Sequence, residues 1–140
     1  NMQSFSPLYT FEDCAKVLDN KRCFKNALEA YQVLRVIRGL TPGKAWRNHP
    51  VTKMWASNAN CYVEYALNFV LEWYGRGYKT TLEDKIKSLY VAGETNAKPD
   101  WWGREDIHLS HRSNLLRKDK EFYGKLWPND PDNLPYIWPK

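Results

Sequence analysis

The sequence predicts an all-α protein, a compact single-domain bundle of about four to five helices followed by an irregular tail rich in proline and aromatic residues. Apolar residues recur three and four positions apart in successive segments, as on the buried face of a helix. Glycine and proline separate those segments, and we find neither an internal repeat nor the alternating pattern of a β-strand. At 140 residues the chain is long enough for one hydrophobic core, so we expect one domain over residues 1–140.

The first two helices are predicted from a cap and from helical periodicity. Thr10, with Asp13 three residues later, predicts the start of a short first helix. A second helix is predicted from Lys21 to Arg38, where Gly39 and then Pro42-Gly43 end it. Its buried face is predicted to carry Phe24, Ala27, Leu28, Tyr31 and Leu34, and its solvent-facing side to display Arg22, Lys25, Asn26, Glu29 and Gln32.

Two further helices are predicted in the middle of the chain. The longest periodic stretch covers residues 51–73 and is closed by Gly75 and Gly77. A shorter helix is predicted to begin at Thr81 and to end at Gly93.

The last predicted helix, from about Ile107 to Lys125, is unusually polar. His108, His111 and Arg112 would share one of its faces because they lie three and four residues apart. Such a face indicates a binding site for an anion; the alternative is a solvated helix surface. The prolines of residues 127–140 then exclude a helix and leave an irregular tail, whose aromatic residues predict that it packs on the body.

The composition favours a nucleic acid as the partner. The net charge is +5, and 15% of the residues are aromatic, including seven Trp and nine Tyr. Lysine and arginine attract phosphates whatever the base sequence, and aromatic rings offer faces on which unstacked bases can lie. The alternative is that the aromatic residues fill the core and the charge serves solubility.

The cysteines and the N-terminus bear on where the protein works. The three cysteines are odd in number and widely spaced, which is typical of reduced thiols in a cytosolic protein. No apolar run reaches the length of a membrane span and no secretory signal is recognisable. We therefore expect no membrane partner and a location in the cytoplasm of a bacterium or a phage-infected cell. Asn1 is interpreted as a residue left by an expression vector, with Met2 as the natural start.

Glu29 is the sharpest candidate for chemistry. It lies among basic and amide residues, with Lys25 one turn before it and Gln32 nearly one turn after it. A carboxylate there can stabilise a developing cation or transfer a proton, and the alternative is an ordinary surface ion pair with Lys25. His108 and His111 lack further metal ligands at suitable spacing, so we predict no metal site. The chain also has no Gly-rich phosphate loop and no nucleophile elbow, which excludes kinase and P-loop functions and hydrolases of the nucleophile-elbow type.

Several motifs follow one another over nearly the whole chain. They are Met2-Gln-Ser-Phe-Ser-Pro7, Val17-Leu-Asp-Asn-Lys-Arg22 with Lys25 and Glu29-Ala-Tyr-Gln-Val33, Trp46-Arg-Asn-His-Pro50, His108-Leu-Ser-His-Arg-Ser-Asn-Leu-Leu-Arg-Lys-Asp119, Leu134-Pro-Tyr136 and Trp138-Pro139. Together they resemble the pyrimidine-dimer DNA glycosylase, or endonuclease V-like, family, and in particular its bacterial and phage branch.

This resemblance implies a single endonuclease V-like helical domain that works as a monomer, without a metal or another cofactor. Its partner would be double-stranded DNA with a damaged or modified base. It would remove the base and then cleave at the abasic site through a Schiff base between an amine and the sugar C1′. Glu29 is the residue that matches the assisting glutamate of the family.

The resemblance leaves the nucleophile open. If the initiator Met is kept, because Gln3 is too bulky for its removal, the amine of Met2 would attack. Alternatively, a lysine such as Lys21 or Lys25 would attack, made more nucleophilic by neighbouring positive charge.

The resemblance also implies a set of DNA contacts. Ala27 stands where an arginine is common in the bacterial branch, so Arg22 or Lys25 is expected to make that phosphate contact. Further phosphate contacts are expected from Arg47, Arg112, Arg117 and Lys118. The expected hydrogen-bond donors of the base pocket are Asn48, His49, His108, His111 and Asn114. The rings expected to stack on a base or to wedge into the duplex are Trp46, Trp101 and Trp102.

Three functions remain open from the residues. The preferred one is a glycosylase with lyase activity, on a cyclobutane dimer, another damaged base or a modified base. The second is a non-catalytic DNA-binding protein of the same fold, in which Glu29 only orders the basic residues. The third is a small-molecule-binding or nucleotide-binding helical protein, which would need a closed pocket around His108 and Trp102.

Overall fold

The computed structural model describes residues 3–41 and 47–139, and over these ranges the protein is all-helical, with one short 3-10 turn and no β-strand. The predicted fold class is therefore confirmed. In the same ranges no helix is long and apolar enough to cross a membrane. The α-helices are α1 (Phe11–Val17), α2 (Asn20–Ile37), α3 (Pro50–Trp55), α4 (Ala59–Gly75), α5 (Leu82–Lys87), α6 (Glu105–Lys118) and α7 (Lys120–Tyr123).

The two N-terminal helices begin close to where the sequence predicts them. The hydroxyl of Thr10 accepts a hydrogen bond from the backbone N–H of Asp13 at 3.0 Å, which is the predicted cap of α1. Asp19 caps α2 in the same way, through the N–H of Arg22. These caps satisfy backbone donors that the first helical turn leaves free, so local sequence sets the start of the helix that carries Glu29.

The two longest predicted helices are each broken once. The stretch predicted over residues 51–73 is divided into α3 and α4 by the 3-10 turn Ala56–Asn58, where Asn58 has the non-helical dihedrals φ −135° and ψ 45°. The last helix stops at Asp119, whose φ of −152° and ψ of 80° end α6. The Asp119 side chain then caps α7 by accepting from the N–H of Phe122. Asparagine and aspartate favour such breaks because their side chains compete for backbone hydrogen bonds.

The core lies between α2 and α4, with α1 and α5 packed against α4. Trp55 and Tyr62 are fully buried and stack with their ring centroids 4.4 Å apart. Trp101 packs edge-on against Trp55 and donates its indole N–H to the carbonyl of Met54. Several aromatic rings therefore fill the core, which was the alternative to the interpretation that they stack on bases. The cysteines are buried there too, and none forms a disulfide.

Residues 3–9, which we call the N-terminal strap, form a non-helical segment held between α2 and α6. The strap covers the face of α2 that was predicted to face solvent. As a result, the exposed fraction is only 3% for Asn26 and 9% for Glu29, whereas Lys25 stays exposed. The prediction of a fully solvent-facing polar side on α2 is thus wrong, because an irregular segment from the start of the chain lies over it.

The tail after residue 126 lies against α6, whose small polar side chains hold its backbone. The hydroxyl of Ser113 accepts from the N–H of Leu134 at 3.0 Å, and the hydroxyl of Ser110 accepts from the N–H of Ile137 at 3.1 Å. Irregular segments have backbone groups that no helix or sheet satisfies, so a helix buried between two of them must supply polar partners. This explains why α6 is polar and yet mostly buried.

Candidate active site

An open cleft lies between the first half of α2 and the C-terminal end of α6, at the start of the strap. Its volume is about 200 Å³, and among the described residues four cationic side chains and one carboxylate, that of Glu29, line it. Helical periodicity brings the α2 members of this set to one face. The cleft, called the cationic cleft below, is lined by Gln3, Phe5, Lys21, Arg22, Lys25, Asn26, Glu29 and Lys118.

Glu29 is the buried acid of the cationic cleft. Burial raises the pKa of Glu29 above its usual value of 4.5, because the carboxylate loses solvation. The cations of Lys25 and Lys118 and the backbone N–H of Gln3 partly oppose this shift by stabilising the ionised form. Lys25 Nζ lies 3.9 Å from Glu29 Oε1. A carboxylate with a raised pKa beside several cations is suited to proton transfer and to stabilising a cationic intermediate.

Lys118 joins the cleft from the end of α6. The sequence indicated only a phosphate contact for it, because no local spacing places it beside Glu29. Partial burial and the neighbouring cations of Arg22, Lys25 and Arg117 lower the pKa of Lys118 below its usual 10.5. An amine with a lowered pKa is more often uncharged and is then a nucleophile. Lys118 is therefore a candidate amine in addition to the two lysines of α2.

At position 27 of α2, where an arginine is common in the family's bacterial branch, this chain has alanine, and its cations stand at other positions. Ala27 is 1% exposed and lies in the core, so a side chain at that position points away from the cleft. Arg22 lines the cleft and pairs with Asp19 at 3.2 Å, while Lys21 and Lys25 are exposed at its rim. Whether Arg22 or Lys25 makes the phosphate contact of the missing arginine stays a prediction.

The structure corrects the predicted DNA-contacting face of α6. His108 and His111 are 0% exposed, and Arg112 and Asn114 are also buried. Each of these side chains is held by hydrogen bonds within the protein, to the strap, the tail, the turn before α6 or α6 itself, so none of them is presented to a phosphate or a base. Both ring nitrogens of His108 form hydrogen bonds within the protein. They are therefore not available to a small molecule in the pocket that the third function would need around His108 and Trp102. Within residues 3–41 and 47–139, no three His, Cys, Asp or Glu residues form a metal-ligand group.

The two adjacent tryptophans both contact other parts of the protein. Trp101 belongs to the core, and Trp102 donates its indole N–H to the carbonyl of Tyr9 at 3.0 Å. The predicted stacking or wedging role is therefore corrected for Trp101, whose ring is buried, whereas for the half-buried Trp102 it stays a proposal. The third candidate ring, Trp46, and the candidate nucleophile Met2 lie outside the described residues.

The remaining predicted contacts do not line the cleft. Arg47 and Asn48 are exposed in the turn before α3. His49 caps α3, since its Nδ1 accepts from the N–H of Val51 at 3.1 Å, and burial lowers its pKa. Arg117 is exposed next to the cleft and donates to two carbonyls of the tail. These residues stay proposals for DNA contact.

Burial of His111 makes folding sensitive to acid. Its Nδ1 accepts from the N–H of Ser6, so the folded protein keeps the ring neutral. Burial, and then the nearby His108, lower the pKa of His111 from 6.5 to about 3. Because the unfolded chain binds this proton more readily, the stabilisation is complete above pH 6.5 and is lost as the pH falls towards 3. We expect His111 to lower the free energy of unfolding by about 2 kcal/mol between pH 7 and pH 5, measured by urea denaturation.

The matched variant for this measurement is His111→Asn. Asparagine keeps an acceptor for the N–H of Ser6 but does not titrate. Between pH 7 and pH 5 the free energy of unfolding of the variant should therefore change about 2 kcal/mol less than that of the wild type. Carboxylates titrate in both proteins and cancel in the comparison. The same pH dependence in both proteins would contradict a buried, neutral His111.

The chain matches the family model described as pyrimidine dimer DNA glycosylase over residues 2–86. The matched region contains Glu29 and the cations that α2 contributes to the cleft, whereas Lys118 lies beyond it. No curated protein and no solved structure matches the chain. Because the match covers more than half of the 140 residues, the chain belongs to the pyrimidine dimer DNA glycosylase family, whose enzymes act on DNA.

Proposed function

We propose that this member of the family is a DNA glycosylase with abasic-site lyase activity that works through an amine Schiff base assisted by Glu29. The observation that carries the proposal is a buried carboxylate of raised pKa inside a cleft with four cationic side chains. Such a cleft attracts a polyanion, and its carboxylate can meet a cationic intermediate. The proposed substrate is duplex DNA with a pyrimidine dimer, or with another damaged or modified base.

The first candidate nucleophile is the N-terminal amine. The backbone N–H of Gln3 is near enough to the Glu29 carboxylate to help stabilise its ionised form, and Met2 precedes Gln3 in the sequence. Consecutive Cα atoms are about 3.8 Å apart, so a chain that begins at Met2 would carry its amine one residue before Gln3. An α-amine, with a pKa of about 8, is a competent nucleophile near neutral pH. The alternatives are the lysines of the cleft, Lys21, Lys25 and Lys118.

The proposed reaction begins when the amine nitrogen attacks the sugar C1′. The bond from C1′ to the base breaks, and the base leaves with the bonding electrons and takes a proton from water. The C1′–O4′ bond then opens to a protonated imine, while a proton released from the nitrogen passes to O4′. The hydroxide left by that water takes a proton from C2′, which forms the C2′–C3′ double bond and expels the 3′ phosphate with its electron pair. Water finally hydrolyses the imine and restores the amine.

In this scheme Glu29 carries protons and offers a negative charge to the imine. Its raised pKa favours proton exchange nearer to neutral pH than an exposed glutamate allows. The phosphates on either side would be held by Arg22, Lys25 and Lys118. Each phosphate so neutralised makes the plot of log binding constant against log salt concentration steeper by about 0.9. The C1′ atom of a stacked nucleotide is out of reach, so we also propose that the enzyme turns a nucleotide out of the duplex. We further propose that the enzyme acts as a monomer.

The test is borohydride trapping with two forms of the protein, one beginning at Met2 and one beginning at Asn1. Each form is incubated with a duplex that holds one abasic site, with an ultraviolet-irradiated duplex and with an undamaged duplex as control. Borohydride delivers hydride to C1′ of the imine and so makes the link permanent. We expect a covalent complex on both damaged duplexes and none on the control. Digestion and mass spectrometry then identify the reacting nitrogen.

The second candidate function is DNA binding without catalysis. It is favoured by the 3.9 Å distance between Lys25 Nζ and Glu29 Oε1, since a carboxylate in that position can also serve to order the cations. Binding that weakens steeply with salt, with no adduct on either damaged duplex, would support this function and contradict the proposed one.

A further inference from the structure

We propose that the side chains which bind the backbone of residues 4–7 of the N-terminal strap are positioning residues, because they hold the start of the strap, from which the proposed amine extends, against Glu29. This inference rests on the proposed function, in particular on the N-terminal amine as nucleophile. The positioning residues, called the strap clamp below, are Asn26, Tyr65, His108, His111, Arg112 and Tyr136.

Asn26 ties the strap to the same helix that carries Glu29. Its Oδ1 accepts from the N–H of Phe5 at 3.2 Å, and its Nδ2 donates to the carbonyl of Phe5 at 3.4 Å. Tyr65 of α4 donates its hydroxyl to the same carbonyl. Asn26 lies nearly one turn before Glu29, and Phe5 lies two residues after Gln3. These bonds therefore fix the register of the strap against the carboxylate.

The two histidines of α6 hold the next residue of the strap. His111 Nδ1 accepts from the N–H of Ser6 at 2.9 Å, and His108 Nδ1 lies 2.7 Å from the Ser6 carbonyl. The N–H of Gly103 donates to His108 Nε2 at 2.9 Å, so in the neutral ring the proton is on Nδ1 and is donated to Ser6. One ring accepts and the other donates, and both backbone groups of Ser6 are held.

Two further residues hold the strap on either side of these bonds. Tyr136 of the tail donates its hydroxyl to the carbonyl of Ser4, which is directly bonded to Phe5. Arg112 Nη1 donates to the carbonyl of Pro7 at 2.9 Å. Four successive residues are thus bound through their backbone, and a slip of one residue, about 3.5 Å, would break all these bonds at once.

Such control of position matters because the amine must reach C1′ in one geometry. Reacting atoms in productive complexes lie about 3–3.5 Å apart, and a misplacement of about 1 Å can slow the reaction about 100-fold. His111 and Tyr136 do not line the cationic cleft. Weakening the clamp at these two residues should therefore slow imine formation and leave the affinity for DNA unchanged.

The test compares variants that remove single clamp bonds. Tyr136→Phe keeps the ring that stacks on His111, with centroids 4.2 Å apart, and removes only the bond to the strap. His111→Phe keeps a ring but removes the acceptor for Ser6, whereas His111→Asn restores an acceptor near the same place. Tyr74→Phe is the matched control, because its hydroxyl bonds lie near the end of α4 and outside the strap.

Each protein is used in whichever of the two N-terminal forms gives the adduct, at a temperature where denaturation curves show it folded. The rate of adduct formation on an abasic-site duplex and the Kd for that duplex are measured separately. We expect Tyr136→Phe and His111→Phe to form the adduct about 10 to 100 times more slowly, with unchanged Kd. His111→Asn should recover most of the wild-type rate, and Tyr74→Phe should match the wild type.

The other outcomes separate this inference from the proposed function. Wild-type rates in both Tyr136→Phe and His111→Phe would overturn the positioning role and leave the proposed function standing. An equal loss in Tyr74→Phe would also overturn it, because the effect would then be one of general stability. An adduct on a lysine of the wild type overturns the inference alone, whereas no wild-type adduct at all overturns both.

Discussion

Glu29→Gln is expected to remove most of the imine trapping while the protein stays folded. Glutamine has nearly the same size but can neither carry a proton nor balance a cation. We expect adduct formation on an abasic-site duplex to fall by about 100-fold to 10,000-fold, the usual contribution of a group that transfers a proton. The Kd for the duplex should stay the same or fall, because the four cationic side chains of the cleft remain. Single-turnover trapping and a binding titration measure the two effects.

The stability of this variant provides an independent check. Burial disfavours the ionised Glu29, so glutamine should leave the free energy of unfolding at pH 7 unchanged or slightly higher. The matched control is Glu12→Gln, since Glu12 also pairs with a lysine four residues away but has a side chain that is 69% exposed. It should trap at the wild-type rate. If Glu29→Gln also does, Glu29 has no part in the reaction.

Arg112→Met is expected to lower the free energy of unfolding by about 3 kcal/mol. The Arg112 side chain is 11% exposed and joins three parts of the fold. It binds Asp130 of the tail at 2.8 Å, Glu105 at the start of α6 at 2.8 Å and the carbonyl of Pro7 in the strap at 2.9 Å. Methionine fills part of the volume but donates no hydrogen bond, so these acceptors lose their partner. Urea denaturation at pH 7 measures the loss.

Arg104→Met is the control for this change. Arg104 pairs with Asp106 at 2.7 Å, but both side chains are more than half exposed, at 55% and 52%. Water and salt screen such a pair, so its removal should cost less than about 1 kcal/mol. Similar losses in the two variants would contradict the structural role assigned to Arg112.

The helices of the N-terminal half were predictable because their signals are local. The Thr10 cap depends on a residue three positions away, and Lys25 and Glu29 share a face because they are four apart. A helix brings such neighbours together whatever the rest of the chain does. The part of the cationic cleft that α2 contributes could therefore be predicted from the sequence.

The polar residues of α6 show why the rest could not be predicted. Their spacing gives the directions of the side chains but carries no information on what covers them. Water, a phosphate and the backbone of another segment all satisfy the same donors and acceptors. In this protein the partner of His111 is Ser6, 105 positions away in the sequence. The residues interpreted as a DNA-binding face are therefore part of the fold.

By itself the sequence determined the helical fold class, the start of the first helices and the place of Glu29 among cations. Only the tertiary structure decided that a strap buries Glu29, that Lys118 joins the same cleft and that α6 holds the strap. The physical reason is one of range. Helical periodicity and caps depend on residues within about four positions. Burial and pKa depend instead on which distant segment excludes water from a side chain.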